Sequence, residues 1–251
     1  MKNNFNLQYL IPIFLFLSIL ILTIPSYANS TKNSIQMVIM HQSPYGFKTQ
    51  DGKETGVLYD ILTQIIKTSN MHNSINIVPI KRLLVILKKN PKVCTIVANT
   101  PDIKEFDLIE PISFLLAAGI LPGMGINVDT YASLKNKVIA VPLGIIFDEK
   151  FHKDKTLIKV RPPHYSNAIK MLKRGRVDAV AGALPTLMYI AKKEGMNIKS
   201  LNKPLLLAQT QAYLVCTKDL HKSNRDKLKK AVIELKSNGT IQKILFEYFG
   251  I

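Results

Sequence analysis

Apolar positions along this chain fall into two alternating patterns. Ile35–Met40, Ile75–Val78 and Val93–Ala98 are short, nearly continuous apolar runs bounded by turn residues, as expected of strands covered on both faces. Between the first two, Thr55-Gly56 opens a stretch in which Val57, Leu58, Ile61, Leu62, Ile65 and Ile66 recur with helical period. A second helix is predicted over Arg82–Lys89. Pro44-Tyr45-Gly46-Phe47 and Asp51-Gly52-Lys53 are turn signals. The order β-α-β-α-β predicts an α/β fold with a parallel sheet covered by helices.

The pattern continues with short strands at Leu115–Leu121, Val138–Val141, Ile158–Val160, Val177–Ala181 and Ala212–Cys216. Helices are predicted around Asp148–Lys153, Asn167–Arg174 and Pro185–Lys193. Pro185 suits a first helical turn, and Lys192 and Lys193 followed by Gly195 suit a last one. Ser166 is expected to cap the helix that runs to Arg174, and Asp178 to cap or pack at a strand start. Two helices close the chain: Asn224–Ser237, with Leu228, Val232 and Leu235, and Thr240–Phe249, with Ile241, Ile244, Leu245 and Tyr248. Asn238-Gly239 breaks between them.

The N-terminus is built differently. Lys2 precedes an apolar run, Tyr9–Ile24, that is short for a spanning helix and contains Pro12; Ser26-Tyr27-Ala28 fits a small-x-small cleavage site. Residues 1–28 are therefore expected to be a signal peptide cleaved near Ala28, with export to the periplasm. No Cys follows the run to carry a lipid anchor.

Charge changes this picture only in part. The 34 Lys+Arg outnumber the 17 Asp+Glu, yet only five of the basic residues are Arg, and no aromatic-interleaved basic motif is present. That argues against nucleic acid as a partner. The lysines are either a solvated surface or an attraction for an anionic ligand or polymer. Five scattered His show no metal-binding spacing, and no cofactor is expected. Cys94 and Cys216 lie in strand-like runs; an exported protein can pair them, or they can pack as free thiols.

The chemistry concentrates at strand ends. The run Val93–Ala98 stops at Asn99-Thr100-Pro101-Asp102-Ile103, leaving amide, hydroxyl and N–H groups at the carboxyl edge of the predicted sheet, where ligands of open α/β folds bind. Tyr45 and Phe47 flank a glycine past the first strand, as an aromatic wall for a ligand or as turn packing. Arg82, at a helix start near the same edge, offers a fork of donors to a carboxylate or phosphate. Asn99 and Thr100 either contact ligand or cap the turn. Gly144 and Ile145 follow a strand, where backbone N–H groups of a helix start suit an anion.

These motifs, in this order, resemble the extracellular solute-binding proteins of the amino-acid-binding type, family 3. Tyr45-Gly46-Phe47, Asp51-Gly52-Lys53 and Gly56-Val57-Leu58-Tyr59-Asp60-Ile61 are similar to the family's opening, and Lys135–Gly144 to its second-lobe opening. Gly175-Arg176-Val177-Asp178-Ala179-Val180 matches a family motif, as does Leu235, Gly239, Thr240 and Ile244 followed by Tyr248-Phe249-Gly250. The resemblance implies a two-lobed periplasmic binding protein of type II, each lobe a mainly parallel sheet flanked by helices, with two crossover strands as hinge. Residues 32–112 plus 211–251 would form lobe 1 and residues 113–210 lobe 2. It further implies a monomeric, non-catalytic protein that captures a small solute for a membrane permease, or serves a membrane signalling protein. A dehydratase on the same fold is the enzymatic alternative.

Two departures stand out within the resemblance. The family's arginine, which clamps a ligand carboxylate, is replaced by Ile103, and the Asp that holds the ligand ammonium by Ala183. Burying a zwitterion without either partner costs several kcal/mol, so a free α-amino acid is not the expected ligand.

Overall fold

The computed structural model describes residues 35–100, 103–143 and 147–249. The predicted signal peptide and its cleavage point lie outside them, as do Gly144 and Ile145.

Consecutive apolar residues become strands because both faces of the sheet are covered. In β1 (Gln36–Met40), Met37 and Ile39 enter one buried cluster and Val38 the opposite one. β5 (Val93–Ala98) divides likewise: Cys94 and Ile96 point one way, Val93 and Val97 the other. Helix α1 (Val57–Thr68) buries Val57, Leu58, Ile61, Leu62 and Ile65 on the first face, and α2 (Ile80–Lys89) buries Leu83 and Leu87 on the second. β2 (Phe47–Lys48) and β3 (Glu54–Thr55) form a short antiparallel pair of their own, and β4 (Ile75–Val78) and β5 pair parallel to β1.

The second half repeats the arrangement. β7 (Val138–Ala140) pairs parallel with β8 (Ile158–Val160) and with β9 (Ala179–Ala183). Val180 faces α4 (Tyr165–Lys173) and α5 (Leu184–Lys193), while Ala179 and Ala181 face Phe151 of the short helix α3 (Glu149–Lys153).

Two long strands serve both halves. β6 (Asp107–Pro122) and β10 (Leu205–Cys216) pair antiparallel from Ile120↔Leu205 to Asp107↔Cys216, so the sheet order is β4-β1-β5-β10-β6-β9-β7-β8. This is the two-lobed architecture with two crossover strands. Both strands begin earlier than their apolar runs. Residues 107–114 and 205–211 mix Asp, Glu, Gln and Thr with apolar residues, because the crossing between lobes is only partly buried and sets no strand periodicity. At the crossing the ladder shifts register between Gln211 and Tyr213, and Ser113 takes a positive φ of 56°. With its amide in the orientation that the neighbouring groups favour, the Gln211 side-chain oxygen accepts from the Ser113 N–H at 3.1 Å and the Phe114 N–H at 3.2 Å, backbone donors beside the shift.

One capping expectation fails. Ser166 lies inside α4, which starts at Tyr165 after an extended His164 that makes no side-chain cap bond. The Tyr165 ring is docked against Gly182, and this tertiary contact accompanies the earlier start. Asp178 meets its expectation: its Oδ2 accepts from the Val138 N–H at 2.7 Å.

The chain ends in α6 (Lys222–Ser237) and α7 (Thr240–Phe249), which bury Leu228, Val232 and Leu235, then Ile241, Ile244 and Leu245, against α1 and the sheet. Near the end of α7 the Tyr248 hydroxyl donates to the Asp60 carboxylate and accepts from the Gly56 N–H at 3.1 Å. Burial, reinforced by the bond to Asp60, pushes its pKa up to about 12. Cys94 and Cys216 are directly opposed on β5 and β10 and form a disulfide closing a separation of 122 residues. Among the described residues no helix is long and apolar enough to cross a membrane.

Two outcomes are expected. Replacing both cysteines by Ala lowers unfolding stability by about 2–4 kcal/mol, since a long loop regains its freedom in the unfolded chain; denaturant titration beside the oxidised wild type measures it. For Tyr248 the phenol ionises near 10.0 when unfolded and near 12 when folded. Its contribution is whole below pH 10 and is lost as pH rises through 10–12, because the unfolded chain releases the proton first. Tyr248→Phe therefore shows a shallower alkaline decline in unfolding midpoint than wild type.

Candidate functional site

The loop after β1 meets the first turn of α5, and this contact joins the two lobes. The Gln42 side-chain amide donates to the Thr186 hydroxyl at 3.1 Å. The same Thr186 and Tyr165 both lie close enough to the Tyr45 hydroxyl to influence its ionisation. Tyr45 is only 3% exposed, and this burial pushes its pKa well above the usual phenol range. Thr186 opposes that shift and the nearby Tyr165 adds to it.

Tyr165 defines the lobe 2 side. Its hydroxyl accepts from the Ala183 N–H at 3.2 Å, and burial raises its pKa. Its ring crosses Gly182, whose φ is 155°: a Cβ there would lie 2.4 Å from the Tyr165 Cε1. Glycine is thus required both by the backbone and by the ring. The phenol bonds directly to the backbone of position 183, where the family resemblance places a carboxylate. Gln42, Tyr45, Tyr165 and Thr186 are thus an uncharged group of polar side chains at neutral pH, with Gln42 bonded to Thr186 and Tyr165 to the Ala183 backbone.

An aromatic contact flanks it. The Phe47 ring sits 6.0 Å from that of Tyr189 on α5, and the Lys193 ammonium lies 5.4 Å from the first centroid and 5.0 Å from the second. Such a pairing is worth roughly 0.5–1 kcal/mol at an exposed site.

The other residues predicted from the sequence occupy the carboxyl edge of β4-β1-β5 without forming one cluster. Arg82 is exposed in the first turn of α2. The Asn99 side chain is exposed, while its backbone is held by the hinge strand: its N–H donates to the Gln211 carbonyl and its carbonyl accepts from the Thr210 hydroxyl, both at 3.1 Å. The Thr100 carbonyl accepts from the Ile103 N–H at 3.1 Å. Ile103 is 2% exposed and packs with Leu83, Leu87, Val97 and Phe106, so its position belongs to the core. Of the acidic groups that an enzyme would use, Glu110 is paired with Lys236 at 2.9 Å, and Asp102 is outside the described residues. Among the described residues no group of three or more His, Cys, Asp or Glu is placed to hold a metal.

Gln42, Thr186, Tyr189 and Lys193 were missed from the sequence. The Gln and Thr carry no motif, and the α5 residues read as an ordinary helix. Gly182 at a strand end was the one available signal that something large approaches the backbone there.

No family model matches the chain. Two curated relatives do. A probable amino-acid-binding protein of Bacillus subtilis (strain 168) is 24% identical over 82% of this chain and 80% of its own length. An arginine-binding periplasmic protein of Mannheimia haemolytica is 26% identical over 88% of this chain and 93% of its own. Among solved structures, a mutant of ArgBP from T. maritima superposes with a TM-score of 0.68 at 19% identity, covering 89% of this chain and 98% of that one. A histidine kinase sensor domain with similarity to periplasmic binding proteins superposes at 0.66, with 15% identity, over 87% and 96%. In sequence this chain is therefore similar to amino-acid-binding and arginine-binding proteins, and in fold to two-lobed periplasmic binding proteins.

Proposed function

We propose that the chain is an exported, non-catalytic solute-binding protein that captures a small polar or anionic solute between its lobes and hands it to a membrane transporter. The lobes are taken as residues 32–112 plus 211–251 and residues 113–210. One observation carries the choice of solute: the lobe junction is lined by uncharged Gln42, Tyr45, Tyr165 and Thr186, while both zwitterion clamps of the family are gone. Ile103 is in the core and Ala183 carries no charge. An α-amino acid enclosed there would leave its ammonium without a counter-charge, at a cost of several kcal/mol. The relatives' names point to amino acids and arginine; the loss of both clamps argues that the solute here differs.

Proposed contacts are Tyr45 and Phe47 on the aromatic side, Asn99 and Thr100 at the end of β5, and the N–H groups of Gly144 and Ile145. Arg82 supplies the positive charge. The periplasmic name of one relative supports export. The likeness to a sensor domain supports a second reading, in which the same capture informs a membrane signalling protein. Solute-dependent co-purification with a permease complex rather than a sensor protein decides between them.

Two tests follow. Thermal unfolding of the purified protein is measured with each common amino acid and with a panel of polar and anionic solutes. A true ligand at a hundred times its Kd stabilises by about 2.7 kcal/mol, an increase of roughly 5–10 °C for a chain of this size. The amino acids are expected to give no shift, and a shift of that size with arginine would overturn the reading. Restoring the family residue as Ile103→Arg is expected to destabilise by about 3 kcal/mol or more, because it drives a charge into an apolar cluster, and to confer no arginine binding. Arginine affinity gained at unchanged stability would contradict it.

A further inference from the structure

A second concavity lies between α5 and α7, over the hinge stretch of β6, and none of Gln42, Tyr45, Tyr165 or Thr186 lines it. Its volume is about 710 Å³, within the range of roughly 300–1,000 Å³ typical of small-molecule sites. Phe114 and Leu115 form the floor, α5 contributes Met188, and the end of α7 contributes Phe249. Phe114 is buried and stacks on Phe249 with centroids 5.4 Å apart and planes 11° from parallel, which holds the partly exposed Phe249 ring in place at the groove wall. Leu115 is 48% exposed and Met188 37% exposed, although both face a groove. Met188 and Met196 have the adaptable side chains that fit apolar bodies of varied shape.

Charge narrows the occupant. Lys192 and Lys199 are the charged residues of the lining, both are exposed, and neither makes an ion pair among the described residues. No carboxylate lines the groove. A second copy of this chain, with its net charge of +17, would bring positive surface to two lysines. An extended apolar body with one anionic head complements both features.

We propose that this groove is a binding site for a medium-chain carboxylate, whose alkyl chain covers Leu115, Met188 and Phe249 and whose head group meets Lys192 and Lys199. Removing exposed apolar surface from water supplies the affinity, and the lysines set the polarity of entry.

Calorimetric titration of the purified protein with octanoate, and with 1-octanol as the uncharged counterpart, tests this. Octanoate is expected to bind saturably, one per chain, with a Kd below about 1 mM. Met188→Glu, at a part-exposed position, is expected to weaken octanoate by about tenfold or more through like-charge contact and lost apolar cover. Leu115→Glu is the second variant should the first fail to fold. Lys192→Gln with Lys199→Gln is expected to weaken octanoate by about threefold and to leave octanol unchanged. The proposal is overturned if octanoate does not saturate, if neither glutamate variant changes its affinity, or if the lysine variant weakens both probes equally. Light scattering that shows a dimer dissolved by Met188→Glu would assign the groove to a second copy and overturn it as well.

Discussion

The β6–β10 ladder is the constraint on which the rest of the molecule depends. It runs unbroken in pairing, though not in register, from one lobe to the other, and each half of the sheet is built outward from it. Both lobes therefore share backbone hydrogen bonds, so they cannot separate without breaking a sheet. The register of the ladder shifts at three places, and the one beside Gln211 is further marked by the positive φ of Ser113 and by the Gln211 side chain set against the Phe114 backbone. The disulfide between Cys94 and Cys216 ties β10 to β5 on the lobe 1 side of this point, holding that end of the ladder fixed.

With the hinge at one edge, the cleft has to be closed by contacts between the first loop of lobe 1 and α5 of lobe 2. The side-chain hydrogen bond described there, from Gln42 to Thr186, is neutral, and an aromatic pair under a lysine lies beside it. A neutral junction bears on selectivity. Water is displaced at modest cost from hydroxyls that find protein partners, and no buried charge waits for a counter-charge. The fold is similar to that of the amino-acid-binding relatives, while the chain carries Ile103 and Ala183 at the two positions where the resemblance expects charge. The same α5 places Thr186 at the lobe junction and Met188 in the groove proposed as a second site, so one helix bears on both.

Much of the fold was legible in the sequence. The helical stripe of Val57–Ile66 and the spacing of Ile241, Ile244 and Leu245 gave their helices correctly, because amphipathic burial imposes its period on sequence directly. The long reach of β6 and β10 was not legible. Residues 205–211 are half-buried on a crossing between lobes, where pairing is set by the partner strand and no apolar alternation is needed. The cap of α4 was misread for a related reason: Tyr165 docks on Gly182, a contact between residues 17 positions apart that outweighs the local preference of Ser166.

The candidate site divides in the same way. Sequence alone determined what is missing, since Ile103 and Ala183 are substitutions visible against a motif. It determined the α/β class and the carboxyl-edge position of Arg82, Asn99 and Thr100, because strand ends follow from where apolar runs stop. Only the tertiary structure decided that position 103 is core, that the two cysteines are opposed, and that Gln42, Tyr45, Tyr165 and Thr186 meet. Those four come from three separate stretches of chain: the loop after β1, the start of α4 and the first turn of α5. What brings them together is closure of one lobe on the other, and no local periodicity in the sequence encodes a contact that exists only between lobes.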